Sequence, residues 1–352
     1  MTNTEAAPAR PRRTPTHVRV ERTERLTRDL VRVHFSGDGL RALEPKPVTD
    51  AYVKLLFPPR GADYAAPFDP EQIRAERPRE EWPVTRTYTI RAIDHAAGTM
   101  AIDFVVHGDT GLAGPWAAAA RAGDIIGFLG PGGAWAPDPA ADHHLFVGDE
   151  SAYPAIAAAL DALPQDAACT VVLEVADASV HPPVRALAHM NLVWVHRDET
   201  RSHGGGLVDV VAAADVPGLR DGDAPDGLRV FVHGNAEMIK EMRRLLIVEK
   251  GVARAHGDEA AGEGESGDLA QLVLLIAVGR REHAQGRVGD EVRVVVELLG
   301  LGPLVRGDGV LDGVAVDTEL VGEDREVVQR GVDEVRPQEH VRVGHQERGQ
   351  RH

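Results

Sequence analysis

The chain has 352 residues, more than the roughly 100–200 of one ordinary domain, so two domains are the starting expectation. Hydrophobic residues at 43% and charged residues at 27% fit a soluble folded protein, and no apolar run reaches the roughly 18 residues of a membrane span. A formal charge of −16 argues against a general nucleic-acid binder, which needs a basic face, but it leaves room for a local basic pocket.

In chain order, residues 1–14 read as a flexible tail: Arg10, Arg12 and Arg13 are followed by no apolar core of the kind a secretory signal carries. From Thr16 to Asp138 short alternating runs follow one another. They are H-V-R-V-E-R-T (17–23), V-R-V-H-F (31–35), A-Y-V-K-L-L-F (51–57), T-Y-T-I-R-A-I (87–93) and M-A-I-D-F-V-V (100–106), separated by Gly, Pro and Asp turns. One helix is expected, P-W-A-A-A-A-R-A at 115–122, with Pro115 in its first position and Gly123 as its stop. Six or so short strands with one helix predict a small closed antiparallel barrel over 15–140.

The period changes at His144. Strands at 144–147, 170–175, 191–196 and 228–234 alternate with helices at 152–163, 206–214 and 236–246. That alternation predicts an α/β lobe with a parallel sheet over 141–255. Ligands on such sheets bind at the carboxyl ends of the strands, here Gly148 to Ser151, Glu174 to Asp177, and Gly234-Asn235.

Residues 256–352 read differently. Beyond Lys250 the chain holds no Lys, Phe, Tyr, Trp, Met, Cys or Asn, one Ser (Ser266), one Thr (Thr318) and one Ile (Ile276). Aromatics carry the largest buried area per residue, so this alphabet suits a core poorly. The segment is open to three readings: an unusual third domain, a biased disordered tail, or an out-of-frame translation of a GC-rich gene.

One hexapeptide concentrates chemistry: Arg86-Thr87-Tyr88-Thr89-Ile90-Arg91. On a strand, Arg86, Tyr88 and Ile90 face one side and Thr87, Thr89 and Arg91 the other. A flavin needs an aromatic plate, a hydroxyl near its reactive edge and cations for its pyrophosphate, and these six residues supply all three types. The same residues also suit a charged strand with a packed tyrosine.

The segment resembles the R-x-Y-[ST] flavin motif of the ferredoxin-NADP reductase superfamily. Its context is D-A-Y-V-K-L-L-F-P (50–58), P-V-T-R-T-Y-T-I-R, D-F-V-V-H-G (103–108), G-P-W-A-A (114–118) and G-D-E-S-A-Y-P-A-I (148–156). That series is similar to the siderophore-interacting protein family of FAD-dependent ferric-siderophore reductases, from about Arg10 to Val252. The resemblance implies FAD, with NADH or NADPH as reductant and a ferric siderophore as substrate.

It also implies site residues. Arg86, Tyr88, Thr89 and Arg91 hold the flavin, with Tyr88 against its ring, and Asp103, His107, Gly108, Gly111, Gly114 and Trp116 border the ribityl and phosphate part. Gly148, Asp149, Glu150 and Ser151 form the nicotinamide turn, shaping access rather than cradling an anion. Lys54 is the candidate basic contact to an anionic siderophore complex. Apart from the resemblance, Glu174 and Asp177 end the second strand of the sheet, where a carboxylate either bonds ribose hydroxyls, mildly favouring NADH over NADPH, or is simply a solvated strand end. No acid–base residue and no metal ligand is expected, since the cofactor carries the redox chemistry. The resemblance departs after the last helix: family members continue into a strand with an S-G-Y-W-R-like end, where this chain reads V-E-K-G-V-A-R-A-H-G-D-E-A. That departure keeps two alternatives open, a flavin reductase with another acceptor and a non-catalytic flavin- or siderophore-binding protein.

The single cysteine, Cys169, excludes a disulfide framework, and the 16 histidines show no H-E-x-x-H spacing. Neither G-x-S-x-G nor G-x-x-x-x-G-K-[ST] occurs. A cytoplasmic monomer without a nucleic-acid or membrane partner is the expectation.

Overall fold

The computed structural model of the chain describes residues 14–108, 111–197, 203–217, 219, 227–250, 271–282 and 288–300, the last two stretches as backbone. Its first part contains β1 (Thr16–Thr27), β2 (Leu30–Ser36), α1 (Asp38–Arg41), β3 (Tyr52–Phe57), α2 (Pro70–Glu76), β4 (Val84–Asp94), β5 (Thr99–Val105), α3 (Ala113–Ala119) and β6 (Ile125–Gly132). The strands close into an antiparallel barrel in the order β1-β2-β5-β4-β3-β6. Period-two alternation does this: Val53, Leu55 and Phe57 of β3 and Met100, Ile102 and Phe104 of β5 point inward and are buried. Phe35, Phe104 and Phe128 are fully buried, each contributing roughly 2–3 kcal/mol from apolar area. The barrel is plugged by α3, whose Trp116 lies 6.3, 5.8 and 5.8 Å, ring to ring, from Phe35, Phe57 and Phe104.

The helices of this half differ from expectation. Sequence periodicity finds one, and the described residues of this half hold three α-helices. The hidden α2 starts where Asp69 accepts the Glu71 N–H at 2.9 Å and Pro70 opens the first turn, an N-terminal signal placed in a long β3–β4 excursion. The predicted helix at 115–122 runs instead over α3. Gly114, not Pro115, matters at its start, since a Cβ there would lie 3.0 Å from the Val105 carbonyl. Gly123 serves the turn into β6, at φ +101°, with its N–H on the Val20 carbonyl at 2.9 Å.

The second part contains β7 (His143–Gly148), α4 (Tyr153–Ala162), β8 (Ala168–Val175), β9 (His189–His196), α5 (Gly205–Ala213), β10 (Leu228–Asn235), α6 (Ala236–Arg243), β11 (Gln271–Glu282) and β12 (Val288–Gly300). The sheet order is β12-β11-β10-β7-β8-β9, with β10, β7, β8 and β9 parallel. L-F-V of β7 and V-V-L-E-V of β8 are near-continuous apolar runs because helices cover both faces. One face packs α4 together with Leu30 and Val105 of the barrel, and the other packs α5 and α6.

Sequence reasoning placed no element in 256–352 and left β10 as the end of the sheet. On the backbone, β11 runs antiparallel to β10 from Arg229↔Ala277 to Asn235↔Gln271, and β12 pairs with β11. The run Q-L-V-L-L-I-A-V carries strand propensity in Val, Ile and Leu without any aromatic. The rest of 251–352 lies outside the described residues.

Candidate active site

The hexapeptide lies on β4, in register with β3: Leu55 opposes Arg86, Val53 opposes Tyr88, Lys54 opposes Thr87 and Tyr52 opposes Thr89. Arg86, Tyr88 and Ile90 therefore share the face that turns toward the barrel interior, as alternation predicts. Ile90 is in the core, and Tyr88 is half-buried with its ring 4.5 Å from Phe104 at 36°. Arg86 is half-buried, with one guanidinium N–H on the Thr85 carbonyl at 2.9 Å. On the other face Thr89 is buried, and Lys54 stands half-buried between Thr87 of β4 and Leu129 of β6.

Arg91 goes elsewhere. Its Nη2 donates to Asp161 of α4 at 2.7 Å, which ties the barrel to the α/β lobe. Asp103 is likewise committed: it takes both guanidinium arms of Arg32 at 2.6 and 2.8 Å, with its side chain fully buried. The family resemblance grouped Asp103 with the cofactor, but its strand position turns it away from the inward face of Tyr88. Trp116 serves the barrel core, as described above. His107 and Gly108 are exposed. Gly108 and Gly111 adopt φ +60° and +78°, and a Cβ at either would meet nothing within 4 Å, so the backbone there is open to a ligand. Arg60 steadies this turn, with its Nη2 on the Gly111 carbonyl at 3.1 Å.

An isoalloxazine ring with a pyrophosphate tail fits this donor set. The barrel offers a phenol ring, a guanidinium and threonine hydroxyls on adjoining strand positions. Past the end of β5, Gly108 and Gly111 leave backbone uncovered ahead of α3.

The second cluster sits at the carboxyl ends of the parallel strands. Gly148 is obligatory: a Cβ would lie 2.2 Å from that of Ala152 and 2.7 Å from the His233 carbonyl. Asp149 is buried and accepts from Ser151 N at 2.9 Å, Ser151 Oγ at 2.5 Å and Ala152 N at 3.3 Å, which shapes the start of α4. Its Oδ2 also meets His203 Nε2 at 2.9 Å. Burial alone would raise the Asp149 pKa, but the hydrogen bonds from His203 and Ser151 outweigh it and pull the carboxyl down to about 2. The bond to Asp149 correspondingly raises the pKa of His203 against its own burial. Arg197, just past β9, bridges Glu150 at 2.5 Å and Glu174 at 3.1 Å.

Glu174 is 2% exposed and also accepts the Gly204 N–H at 3.1 and 3.2 Å, so it braces the framework rather than facing a ribose. Asp177 caps the turn after β8 and reaches Arg28 of the barrel at 3.1 Å. The sequence-based preference for NADH drawn from these two carboxylates loses its basis. Sequence reasoning missed Arg197, Arg28, Asp161 and His203, because their partners are distant in the chain. Among the described residues no group of three or more His, Cys, Asp or Glu is placed to hold a metal, and no helix is long and apolar enough to cross a membrane.

A closed antiparallel barrel with an aromatic–guanidinium–hydroxyl strand, followed by a parallel lobe open at its carboxyl edge, defines a flavin–nicotinamide oxidoreductase. Comparison with known proteins narrows the class. Residues 19–135 match the siderophore-interacting FAD-binding domain and residues 141–260 match the siderophore-interacting protein domain. A protein of Mycobacterium tuberculosis strain H37Rv is 38% identical over 262 residues, covering 71% of this chain and 90% of that one. Ferric vibriobactin reductase ViuB of Vibrio cholerae is 32% identical over 236 residues, covering 66% and 83%. The crystal structure of a siderophore utilization protein from T. fusca superposes with a TM-score of 0.57 at 31% identity, covering 68% of this chain and 88% of that one. The chain belongs to the siderophore-interacting protein family.

Proposed function

We propose that the protein moves electrons from NADH or NADPH through FAD to a ferric siderophore, so that iron leaves the chelate as the ferrous ion. Residues 15–140 form the flavin lobe and 141–255 the nicotinamide lobe. The observation that carries the reading is the placement of Tyr88 and Arg86 on the β4 strand that Arg91 pins to α4. The flavin motif is thus tied through the Arg91–Asp161 pair to the helix that follows the turn opening the nucleotide lobe.

FAD, when bound, converts a two-electron hydride transfer into one-electron steps to iron. The protein supplies position and charge. Arg86 offsets phosphate charge, the Tyr88 ring gives an apolar wall, and Thr89 offers its hydroxyl. The open backbone at Gly108 and Gly111 presents N–H groups to the pyrophosphate. Asp149 holds the Gly148–Ser151 turn in one shape, so the turn sets access and leaves no free carboxylate toward the nucleotide phosphates. Lys54 on the outward face of β3 attracts an anionic ferric complex. No side chain needs to move a proton.

The test is a visible spectrum of the purified protein before and after anaerobic NADH or NADPH. The flavin bands are expected to bleach and to return on adding a ferric siderophore, with ferrous iron appearing in a chelator assay. Absence of bound flavin after adding FAD would overturn the reading. Lys54→Ala should raise the KM for an anionic ferric siderophore severalfold and leave the rate of flavin bleaching unchanged.

A further inference from the structure

Three aromatic side chains at the carboxyl end of β9 form a plate that the reading above does not use. His181 lies on Trp194 with ring centroids 4.2 Å apart and planes at 8°. Its Nε2 meets Nε2 of His196 at 2.9 Å, with centroids 5.2 Å apart and planes at 19°. Those distances set the two imidazoles tip to tip in nearly one plane, one donating its N–H to the other. Two five-membered rings joined this way span about the area of a purine. His181 is half-buried, whereas His196 is exposed.

The plate is built rather than incidental. His181 follows a single turn at 178–180 whose first N–H groups are capped by Asp177, with Ser179 N donating at 2.8 Å. Val180 of that turn is buried, and the Tyr153 hydroxyl holds the Pro183 carbonyl at 2.7 Å. Trp194 is fixed by β9, which pairs Trp194 with Leu173 of β8. A surface fixed before a ligand arrives loses little entropy on binding.

Its place decides the ligand. The plate and the Gly148–Ser151 turn lie at opposite sides of the same carboxyl edge, at the ends of β9 and β7 with β8 between them, where parallel sheets bind nucleotides. The next side chain, Arg197, is turned onto Glu150 and Glu174. Among the described residues the four carboxylates Asp149, Glu150, Glu174 and Asp177 face three basic groups, Arg197, His203 and Arg28, so the described part of this edge carries no cationic excess with which to select an anion. A neutral flat ring is what the plate suits.

We propose that His181 and His196, backed by Trp194, stack the adenine ring of the nicotinamide dinucleotide. This deepens the reductase reading and rests on it. The probes are adenosine 5′-monophosphate, binding measured by calorimetry on the full chain, and two reductants, NADH and reduced nicotinamide mononucleotide, which lacks adenine. His181→Ala and His196→Ala should each weaken adenosine monophosphate roughly tenfold. Each should raise the NADH KM by the same factor with kcat and FAD affinity unchanged, and should leave reduction by the mononucleotide as in the parent. His181→Phe, which keeps a flat ring on Trp194, should restore much of the binding. Unchanged adenosine monophosphate binding, an equal loss with the mononucleotide, or a rise confined to the KM of the ferric siderophore would overturn the proposal. Plate-dependent nucleotide binding in a protein whose flavin NADH does not reduce would instead overturn the reductase reading and leave the plate standing.

Discussion

Arg32 and Asp103 show how a residue's partner decides its work. Asp103 is fully buried with two short charge-assisted bonds, so Asp103→Ala leaves Arg32, only 18% exposed, without its counter-charge. The expected loss is about 3 kcal/mol of stability in urea unfolding, with FAD affinity at saturating protein unchanged. Tyr88→Ala should behave the other way. Removing a ring that packs on Phe104 lowers stability modestly and weakens FAD by roughly tenfold or more in a titration followed by flavin fluorescence. The sequence pattern proposes Tyr88, Arg86 and the glycines as flavin contacts because their types and spacing are local. It could not give the partners of Asp103, Glu174 and Arg91, because those depend on which strand or helix lies opposite: Arg32↔Asp103 is a β2–β5 register, and Arg91 reaches α4.

At the scale of elements, strands with alternating or continuous apolar runs were legible to within a few residues, and so were α4, α5 and α6. Short elements were harder. The seven-residue α2 has too few turns for a periodic face and is announced only by Asp69-Pro70. The strand β6 was not marked because I-I-G-F-L-G interrupts its alternation with glycine. Absence of aromatics left 271–300 without an assigned element, and the structure pairs two strands there, for which branched aliphatic residues suffice. The turn between β7 and α4 makes a prediction at this scale. Gly148→Ala places a Cβ against backbone and Ala152 at once, and neither is the flexible end of a side chain. The expected result is a protein that still retains flavin on its barrel but whose bound flavin NADH no longer bleaches. Retention of normal bleaching would show that the turn has room this structure does not give it.

For the whole molecule, buried titratable groups set the pH range of stability. His144 is 1% exposed and its ring lies parallel to that of Phe146, with centroids 5.7 Å apart; burial pushes its pKa down from 6.5 to about 4. Burial also lowers the pKa of His143, whose Nε2 shares a hydrogen bond with Thr170. Between about pH 6.5 and 4 the unfolded chain therefore binds protons that the folded chain refuses, and stability falls as the pH falls. For His144 alone the loss approaches about 3 kcal/mol at the lower end. Asp149, pulled down to about 2, keeps its contribution through that window and loses it only below its unfolded value near 3.8. His203 works in the opposite direction. Its raised pKa makes its bond to Asp149 fully effective below 6.5, and the contribution fades as the pH rises through its folded value. Stability should accordingly peak near neutrality, with a steeper acid side. Urea unfolding at pH 7 and pH 5 measures that side directly. His144→Leu should flatten much of the acid loss, whereas His203→Gln should leave it intact and flatten the alkaline decline. An acid loss of equal size in His144→Leu would place the proton uptake on another group.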